Sequence, residues 1–526
     1  MATVGYSTNL SIVASAEAAE AWIEFTGAAG GGAPDETETE CYIQGSGAVS
    51  QTTGATSGYR SMGFDLTSPR SIAAGDASFH WVYFGSPLAL ATAANSGMNI
   101  VIGNTIANWK AWILGGRDAY TYGGWLNLAV DPTCAADWTY GSPDSNTQVF
   151  GSLMTLQYPV AKGQPHVADV IRTGRTLICT GGQTGGYGTF VAAAEANDGG
   201  QARWGLCQAV QGGYLIKGRF QIGTNALCAD FRDANRSLII QDCIRVSPNF
   251  TIFEVNHADS RVDWTSISFL ALGTNARGNF AASANADINI DSCTFTDMGT
   301  FSFDANSTIN NSTFRRTDTI TQSGATFAGC TFDSGRAAAT IFANNPGLIS
   351  SSSFVSDGSN HAIQIATLVA SAAYTLTGLT YTGYAAPPSG STGNECIYNN
   401  SGQHVKLSIA GGDEPSYRNG AGATTEIVLN QVALTITVKD ATNTAIPSAS
   451  CAIYKTSDDT QLMDEIGNAS GVATEMFTYS SDTPVYWRVR RSTALTGTRY
   501  VPIGGNATIT GTGLSITVTL YAEPLA

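Results

Sequence analysis

The chain has 526 residues, a net charge of −15, 43% hydrophobic residues and 13% charged residues. This length predicts about two to four domains. The acidic balance, without a cluster of Lys and Arg, argues against nucleic-acid binding. Arg488, Arg490 and Arg491 come closest to such a cluster, and alternation along a strand explains them better. No segment approaches the ~20 apolar residues of a membrane-spanning helix, so membrane insertion is not expected.

Residues 1–163 are predicted to form a β-sandwich of the jelly-roll or lectin-like kind. Short apolar segments rich in Trp and Tyr, such as Phe79–Gly85, are typical of strands whose aromatic side chains fill the space between two sheets. Five aromatic residues of this region form a candidate glycan-stacking surface, although core packing explains them better: Trp109, Trp112, Tyr120, Tyr122 and Trp125.

Residues 164–426 are predicted to form a right-handed parallel β-helix, because an apolar-to-aromatic pattern recurs along them. The aromatic residues that end each repeat are separated by 26, 19, 18, 22 and 27 residues. They are Phe269, Phe295, Phe314, Phe332, Phe354 and Tyr381. An irregular period near ~20 residues is typical of stacked coils whose turns vary in length. The alternative is chance recurrence in a β protein rich in Ser and Thr.

Residues 427–526 are predicted to form an immunoglobulin-like sandwich, since apolar and polar residues alternate in Leu434–Val438 and again in Leu514–Leu520. The segment resembles the carboxypeptidase-regulatory-like branch of immunoglobulin-like domains. The resemblance rests on Val438–Asp440, Ile446–Pro447, Ala449, Ile453 and the turn at Gly467 and Gly471. It implies a non-catalytic module for adhesion or spacing.

The β-helix region contains carboxylates that neighbouring coils could pair for glycoside hydrolysis. They are Asp291, Asp297, Asp304, Asp318, Asp333 and Asp357, of which Asp291 is the strongest candidate. Asp is also the ordinary residue of turns, so corners explain these positions as well. We therefore assign no catalytic, cofactor-binding or metal-binding residue, and we expect a protein that is not an enzyme and has no cofactor.

The ten cysteines do not read as a disulfide framework, because the chain is far too long to need such staples and no CxxC pair occurs. We interpret them as reduced residues of the core.

The order of sandwich, β-helix and immunoglobulin-like domain resembles virion proteins of tailed bacteriophages. The resemblance implies a structural protein on the virion surface, either a capsid decoration or head fibre or a tail appendage. It also implies a homotrimer that docks on major capsid or tail proteins and is assembled in the host cytoplasm, consistent with the absence of a basic and apolar export segment before Arg60. Two alternatives stay open: a tail fibre or spike that binds host-surface glycan, and a β-helix polysaccharide depolymerase.

Overall fold

The structure is a computed structural model that divides into two compact units, Met1–Ile320 and Thr321–Ala526. It describes residues 4–14, 22–24, 35–38, 40, 42–43, 45–52, 58–64, 71–87, 90, 92, 97–105, 107–119, 123–143, 152–157, 165–182, 186–198, 205–241, 252–272, 278–282, 285–358, 360–387, 393–429, 431–491 and 498–523.

The first unit opens with a β-sandwich. The strands up to residue 174 are β1 (Gly5–Thr8), β2 (Ser11–Ala14), β3 (Trp22–Glu24), β4 (Asp35–Glu38), β5 (Ala48–Thr52), β6 (Gly58–Phe64), β7 (Ala77–Phe84), β8 (Met98–Thr105), β9 (Asn108–Gly115), β10 (Gly124–Val130), β11 (Trp138–Tyr140), β12 (Ser152–Gln157) and β13 (Pro165–Gly174). One sheet has the order β10-β7-β13-β5-β4, with β2 also paired to β13, and the other has the order β11-β9-β8-β12-β6-β3. Alternate residues of β7, β8, β9 and β10 meet in one core, which includes Phe84, Ile100, Trp112 and Val130.

Parallel coils follow the sandwich within the first unit. Their elements are β14 (Thr176–Thr180), α1 (Phe190–Asp198), β15 (Cys207–Val210), β16 (Gly213–Ile216), β17 (Arg219–Ile222), β18 (Asp230–Ala234), β19 (Ser237–Gln241), β20 (Ile252–Val255), β21 (Arg261–Thr265), β22 (Ser268–Leu272), β23 (Asn279–Ala282), β24 (Asp287–Asp291), β25 (Thr294–Thr296), β26 (Phe301–Ser302), β27 (Ser307–Asn310), β28 (Thr313–Arg315) and β29 (Ile320–Thr321).

These strands form three parallel faces, so each coil contributes one strand to each face. The rows are β14-β17-β20-β23-β26, β18-β21-β24-β27 and β16-β19-β22-β25-β28. β1 pairs antiparallel with β14 at the edge of the first row, and β15 pairs antiparallel with β16. This is the topology of a parallel β-helix.

Equivalent residues of successive coils stack inside the first unit. Phe269, Phe295 and Phe314 are partners in the strand register, and their rings stack with centroids 4.8 and 4.9 Å apart. The repeat distances of 26 and 19 residues measured in the sequence are therefore the lengths of two real coils.

A left-handed residue bends each of these repeats at the same position. In the first unit Ser266, Ser292 and Asn311 have φ of 54°, 55° and 49°. This conformation is unfavourable for residues other than Gly, Asn and Asp, so its recurrence shows that the corner geometry is imposed by the coil.

The helix α1 closes the first coils at their apolar interior. Thr189 begins the helix by accepting a hydrogen bond from the Ala192 backbone N–H at 3.1 Å, as an N-cap residue does. Phe190 is fully buried, and its ring lies 4.9 Å from Phe231 and 5.9 Å from Trp264.

The second unit contains further parallel coils. Their strands are β30 (Thr326–Ala328), β31 (Thr331–Asp333), β32 (Ala339–Ala343), β33 (Ile349–Ser350), β34 (Ser353–Val355), β35 (His361–Ile365), β36 (Ala372–Thr382), β37 (Ile397–Asn399), β38 (His404–Gly412), β39 (Tyr417–Asn419) and β40 (Thr424–Val428). Phe332, Phe354 and Tyr381 stack in register with centroids 4.7 and 5.7 Å apart. The coil lengths of 22 and 27 residues again match the repeat distances in the sequence.

The second unit ends in a two-sheet sandwich. Its strands are β41 (Gln431–Asp440), β42 (Ser450–Lys455), β43 (Gln461–Ile466), β44 (Val472–Thr478), β45 (Thr483–Arg490), β46 (Ile503–Ile509) and β47 (Leu514–Leu520). The sheet orders are β44-β41-β47 and β43-β42-β45-β46. The alternating residues Leu434, Ile436 and Val438 lie in the core between the sheets, as predicted.

The predicted all-β fold, with a sandwich, parallel coils and a second sandwich, is confirmed. The domain boundaries at 163 and 426 stay predictions. The eight cysteines in the described ranges are not in disulfides, six of them are buried, and Cys41 and Cys243 lie outside these ranges. The described residues include no helix with the length and apolar character needed to span a membrane.

The stacked aromatic rings should carry a large part of the stability of the coils. We expect Phe295→Ala to lower the free energy of unfolding by about 3–5 kcal/mol, because it removes a buried ring between two others and leaves a cavity. Denaturant titration followed by circular dichroism measures the loss. Leu272→Ala is the control, because Leu272 is 45% exposed on a neighbouring coil and its loss should change stability by about 0.5 kcal/mol or less. Equal effects of the two variants would contradict a stabilising role for the stack.

Burial lowers the pKa of His80 to about 3, because the charged imidazole is disfavoured inside the sandwich. Below the ordinary value of 6.5 the unfolded chain binds a proton that the folded chain does not bind until about pH 3. The free energy of unfolding should therefore fall as the pH drops between these values, with His80 contributing up to about 1.4 kcal/mol per pH unit.

Unfolding titrations at several pH values test this contribution. His80→Gln should show a shallower pH dependence than the unmodified chain. His404→Gln, which removes a half-exposed imidazole, shows whether the loss of any imidazole has the same effect. An unchanged slope in His80→Gln would refute the assignment.

Candidate functional site

The predicted glycan-stacking aromatics do not form one surface. Trp112 is fully buried in the sandwich core, where its Nε1 donates a hydrogen bond to the Cys134 carbonyl at 3.1 Å, so no ligand can reach it. Trp125 lies in the other sheet, with its ring 5.8 Å from Tyr83. Tyr120 and Tyr122 lie outside the described residues.

Trp109 belongs instead to an aromatic face that the sequence analysis did not identify. Its ring stacks on Tyr140 at 5.5 Å, and the strand register places Tyr140 beside Trp109 and Trp138 beside Ala111. Tyr140 is 57% exposed and Trp138 is 39% exposed. Of the three predicted aromatics that the structure describes, Trp109 is the one placed beside these exposed rings, and glycan stacking by this face stays a prediction.

A group of charged side chains in the first unit lies on the outer face of β18, β21 and β24. Val262 and Trp264 point into the coil, so alternation directs Arg261 and Asp263 outward. We call the group the acid–arginine patch: Tyr187, Asp230, Arg232, Arg261, Asp263 and Asp287.

The parallel register assembles this patch from three successive coils. Asp230, Arg261 and Asp287 occupy one column, and Arg232 and Asp263 are partners in the next column. Arg261 reaches Asp263 on its own strand at 3.1 Å and Asp287 on the following coil at 3.6 Å. One guanidinium thus lies within reach of two carboxylates from neighbouring coils.

Arg232 joins the buried acid Asp230 to an exposed tyrosine. Its guanidinium donates two hydrogen bonds to the Asp230 carboxylate, at 2.6 and 2.7 Å, and a third to the Tyr187 hydroxyl at 3.2 Å. Burial lowers the pKa of Arg232, but its hydrogen bonds to Asp230 and the nearby negative charges outweigh burial and raise the pKa overall. The guanidinium also lies 4.4 Å from the centre of the Tyr187 ring, and Tyr187 is 53% exposed.

The aspartates that the sequence singled out lie outside this patch. Asp291, the strongest candidate, accepts hydrogen bonds from Asn311 at 2.9 Å and Ser292 at 3.2 Å, beside the left-handed residues of the corner. Asp297 is itself a left-handed residue, and it pairs with Arg316 at 2.9 and 2.5 Å.

The other candidates from the sequence do not form a pair either. Asp304 accepts a hydrogen bond from the Ser307 hydroxyl, and Asp333 accepts one from Ser334. Asp318 follows the end of β28, and Asp357 is exposed beyond β34. These contacts are those of turn residues, the alternative that the sequence left open.

A signal for the acid–arginine patch was present in the sequence. Aligning Phe269 with Phe295, 26 residues later, also aligns Arg261 with Asp287. The recurrence predicted the buried positions only, whereas the outer positions of the same repeats hold the charged group. No group of three or more His, Cys, Asp or Glu side chains able to hold a metal occurs within the described ranges.

Comparison with known proteins gave structural matches alone. No family model and no curated protein matches the chain. Among solved structures, the chain is similar to the catalytic domain of a GH87 alpha-1,3-glucanase in complex with nigerose, at 12% identity, with 80% of this chain and 86% of the other covered and a TM-score of 0.17. A variant of that domain in complex with tetrasaccharides matches at 11% identity over the same shares, with a TM-score of 0.18.

The prediction that the chain is not an enzyme is corrected by these matches, since the proteins concerned are glycoside hydrolase catalytic domains. Such TM-scores assign no residue of this chain a role. A reaction would depend on the side chains of the acid–arginine patch.

Proposed function

We propose that the chain is a β-helix polysaccharide depolymerase whose active site is the acid–arginine patch. The observation that carries the proposal is the pair Asp263 and Asp287, two outward carboxylates from neighbouring coils that share one guanidinium, Arg261. Hydrolysis of a glycosidic bond needs two carboxyl groups on opposite sides of the bond.

The strand register sets the spacing of the pair. Asp263 faces Asn289 in the register, so Asp287 lies one coil across and two residues along. Neighbouring strands are about 4.8 Å apart and two residues span about 6.6 Å, which gives a diagonal of about 8 Å between the Cα atoms. We infer hydrolysis with inversion, in which the two carboxyl groups lie about 6.5–9.5 Å apart with room for a water molecule between them.

In this mechanism one carboxylic acid gives its proton to the oxygen of the leaving sugar. The other carboxylate takes a proton from a water molecule, whose oxygen forms the new bond to the anomeric carbon as the glycosidic bond breaks. One water molecule is consumed for each bond cleaved, and no other reactant is needed. Arg261 holds the two carboxyl groups in place on either side.

The surroundings of the pair suit a sugar chain. The exposed ring of Tyr187 offers a flat surface for a sugar, and Arg232 fixes the tyrosine from its other side. Outward amides and hydroxyls continue along the next coils, where Asn289 faces Thr308 and Asp291 faces Asn310. These groups match the hydroxyl groups of a polysaccharide.

Asp263→Asn and Asp287→Asn should each lower the rate of cleavage by about 10²–10⁴-fold, because each removes one proton-transfer group. The full chain is incubated with a panel of neutral and acidic polysaccharides, and new reducing ends are counted. Asp259→Asn is the matched control, since the Asp259 side chain is 70% exposed at the turn before β21.

Unchanged cleavage by both variants would remove the pair from the mechanism. Products with unsaturated ends, detected by ultraviolet absorbance, would show that the chain cleaves by elimination and not by hydrolysis. Failure of the unmodified chain to cleave any polysaccharide of the panel would refute the depolymerase.

We further propose, on the resemblance to virion proteins alone, that the chain is carried as a homotrimer on the outside of a tailed-phage particle. Immunogold electron microscopy with an antibody against the segment after Ile427 tests its location. We expect label on purified particles, at the tail if the chain meets host polysaccharide during adsorption. Particles without label would refute this placement, whatever the outcome of the cleavage assay.

A further inference from the structure

The outer face of the sheet β43-β42-β45-β46 is a candidate binding surface that the depolymerase does not use. Cys451, Ile453, Val485 and Val489 belong to the sandwich core. Strand alternation therefore turns the intervening residues outward: Ser450, Ala452, Tyr454, Tyr486, Arg488 and Arg490.

The antiparallel register arranges these outward residues into rows. Ser450 pairs with Arg490, Ala452 with Arg488 and Tyr454 with Tyr486. The two arginines of β45 thus lie opposite the small side chains of Ser450 and Ala452 on β42. The small side chains leave space in front of the guanidinium groups.

The tyrosines form an ordered wall beside this space. Their rings stack with centroids 5.2 Å apart and planes 18° apart. The Tyr486 hydroxyl donates a hydrogen bond to Asp459 at 3.0 Å, and the Arg488 guanidinium lies 5.2 Å from the Tyr486 ring centre. These contacts fix the ring positions before any ligand arrives.

A cleft of about 430 Å³ occupies the space, within the range of about 300–1,000 Å³ that is usual for ligand sites. Ala452 and Gly504 form its floor, and Tyr454, Arg488 and Arg490 are among its walls. Asp464 is the acidic residue of the lining, and it lies across Ala452 from Arg488. The cleft is therefore open, polar and partly aromatic.

The charge of this cleft is opposite to that of the chain, which has 41 acidic and 26 basic residues. Two guanidinium groups face one carboxylate here, and no salt bridge among the described residues engages Arg488 or Arg490. Arg491, the next residue, donates instead to the Ser448 carbonyl at 3.3 Å. Arg488 and Arg490 are thus available to an anionic ligand.

We propose that this cleft binds a carboxylate-bearing sugar of an acidic polysaccharide. A guanidinium fork matches a carboxylate with two parallel hydrogen bonds. Tyr454, which lines the cleft and stacks on Tyr486, offers an apolar face and a hydroxyl group to the sugar ring. The acidic side chain of Asp464 disfavours a doubly charged phosphate more than a singly charged carboxylate. The cleft holds the polymer and takes no part in its cleavage.

Binding to the full chain is measured by isothermal titration calorimetry with oligogalacturonate and with a malto-oligosaccharide of the same length. The titration uses the Asp263→Asn background, so that cleavage does not disturb it. We expect the acidic oligomer to bind about tenfold or more tightly than the neutral one, and the affinity to fall with added salt.

Arg488→Gln and Arg490→Gln should each weaken binding of the acidic oligomer about tenfold or more, because each removes a charged hydrogen-bond donor. Arg499→Gln is the matched control, an exposed arginine of the same sandwich that does not line the cleft. It should bind as the unmodified chain does. Thermal unfolding confirms that the variants are folded.

The proposal would be overturned if Arg488→Gln and Arg490→Gln bound the acidic oligomer as tightly as the chain with both arginines does. It would also be overturned if the neutral oligomer bound as tightly as the acidic one. Stronger competition by an oligophosphate than by the uronate would overturn the carboxylate assignment. The background variant lacks one carboxylate of the proposed active site, so binding is measured without cleavage. The binding test therefore gives a result whether or not the chain proves to be a depolymerase.

Discussion

In-register pairing between successive coils is the constraint on which the first unit depends. Side chains alternate with a period of two along a strand, so a shift of one residue would exchange the buried and exposed positions of a whole coil. The register that stacks Phe269 on Phe295 also places Arg261 beside Asp287. The buried aromatic stack and the exposed charged group are therefore two consequences of one alignment.

The corners of the coils explain why polar residues that look functional are mainly structural. Ser266, Ser292 and Asn311 adopt a left-handed conformation at equivalent positions, and the Asp291 carboxylate is occupied by hydrogen bonds around this bend. Asp263 and Asp287 lie on strand faces and not at corners. Neighbouring coils bring their carboxylates together there, and neither residue stabilises a turn.

The terminal sandwich uses the same alternation with a different outcome. Inward residues of β42 and β45 form the core, and the outward residues gather two arginines and two tyrosines over a small-residue floor. Strand alternation predicted that Arg488 and Arg490 share a face. Their use as a binding site depends on Tyr454 and Ala452, which come from a different strand.

The sequence by itself determined the all-β class, the coil lengths and the buried positions, because strand periodicity and aromatic spacing are local properties. Tertiary structure alone decided that Trp112 is core, that Trp109 meets Tyr140, and that Arg261 bridges two acids. Which outward side chains meet depends on register between strands far apart in the chain, and that register arises from packing over the whole fold.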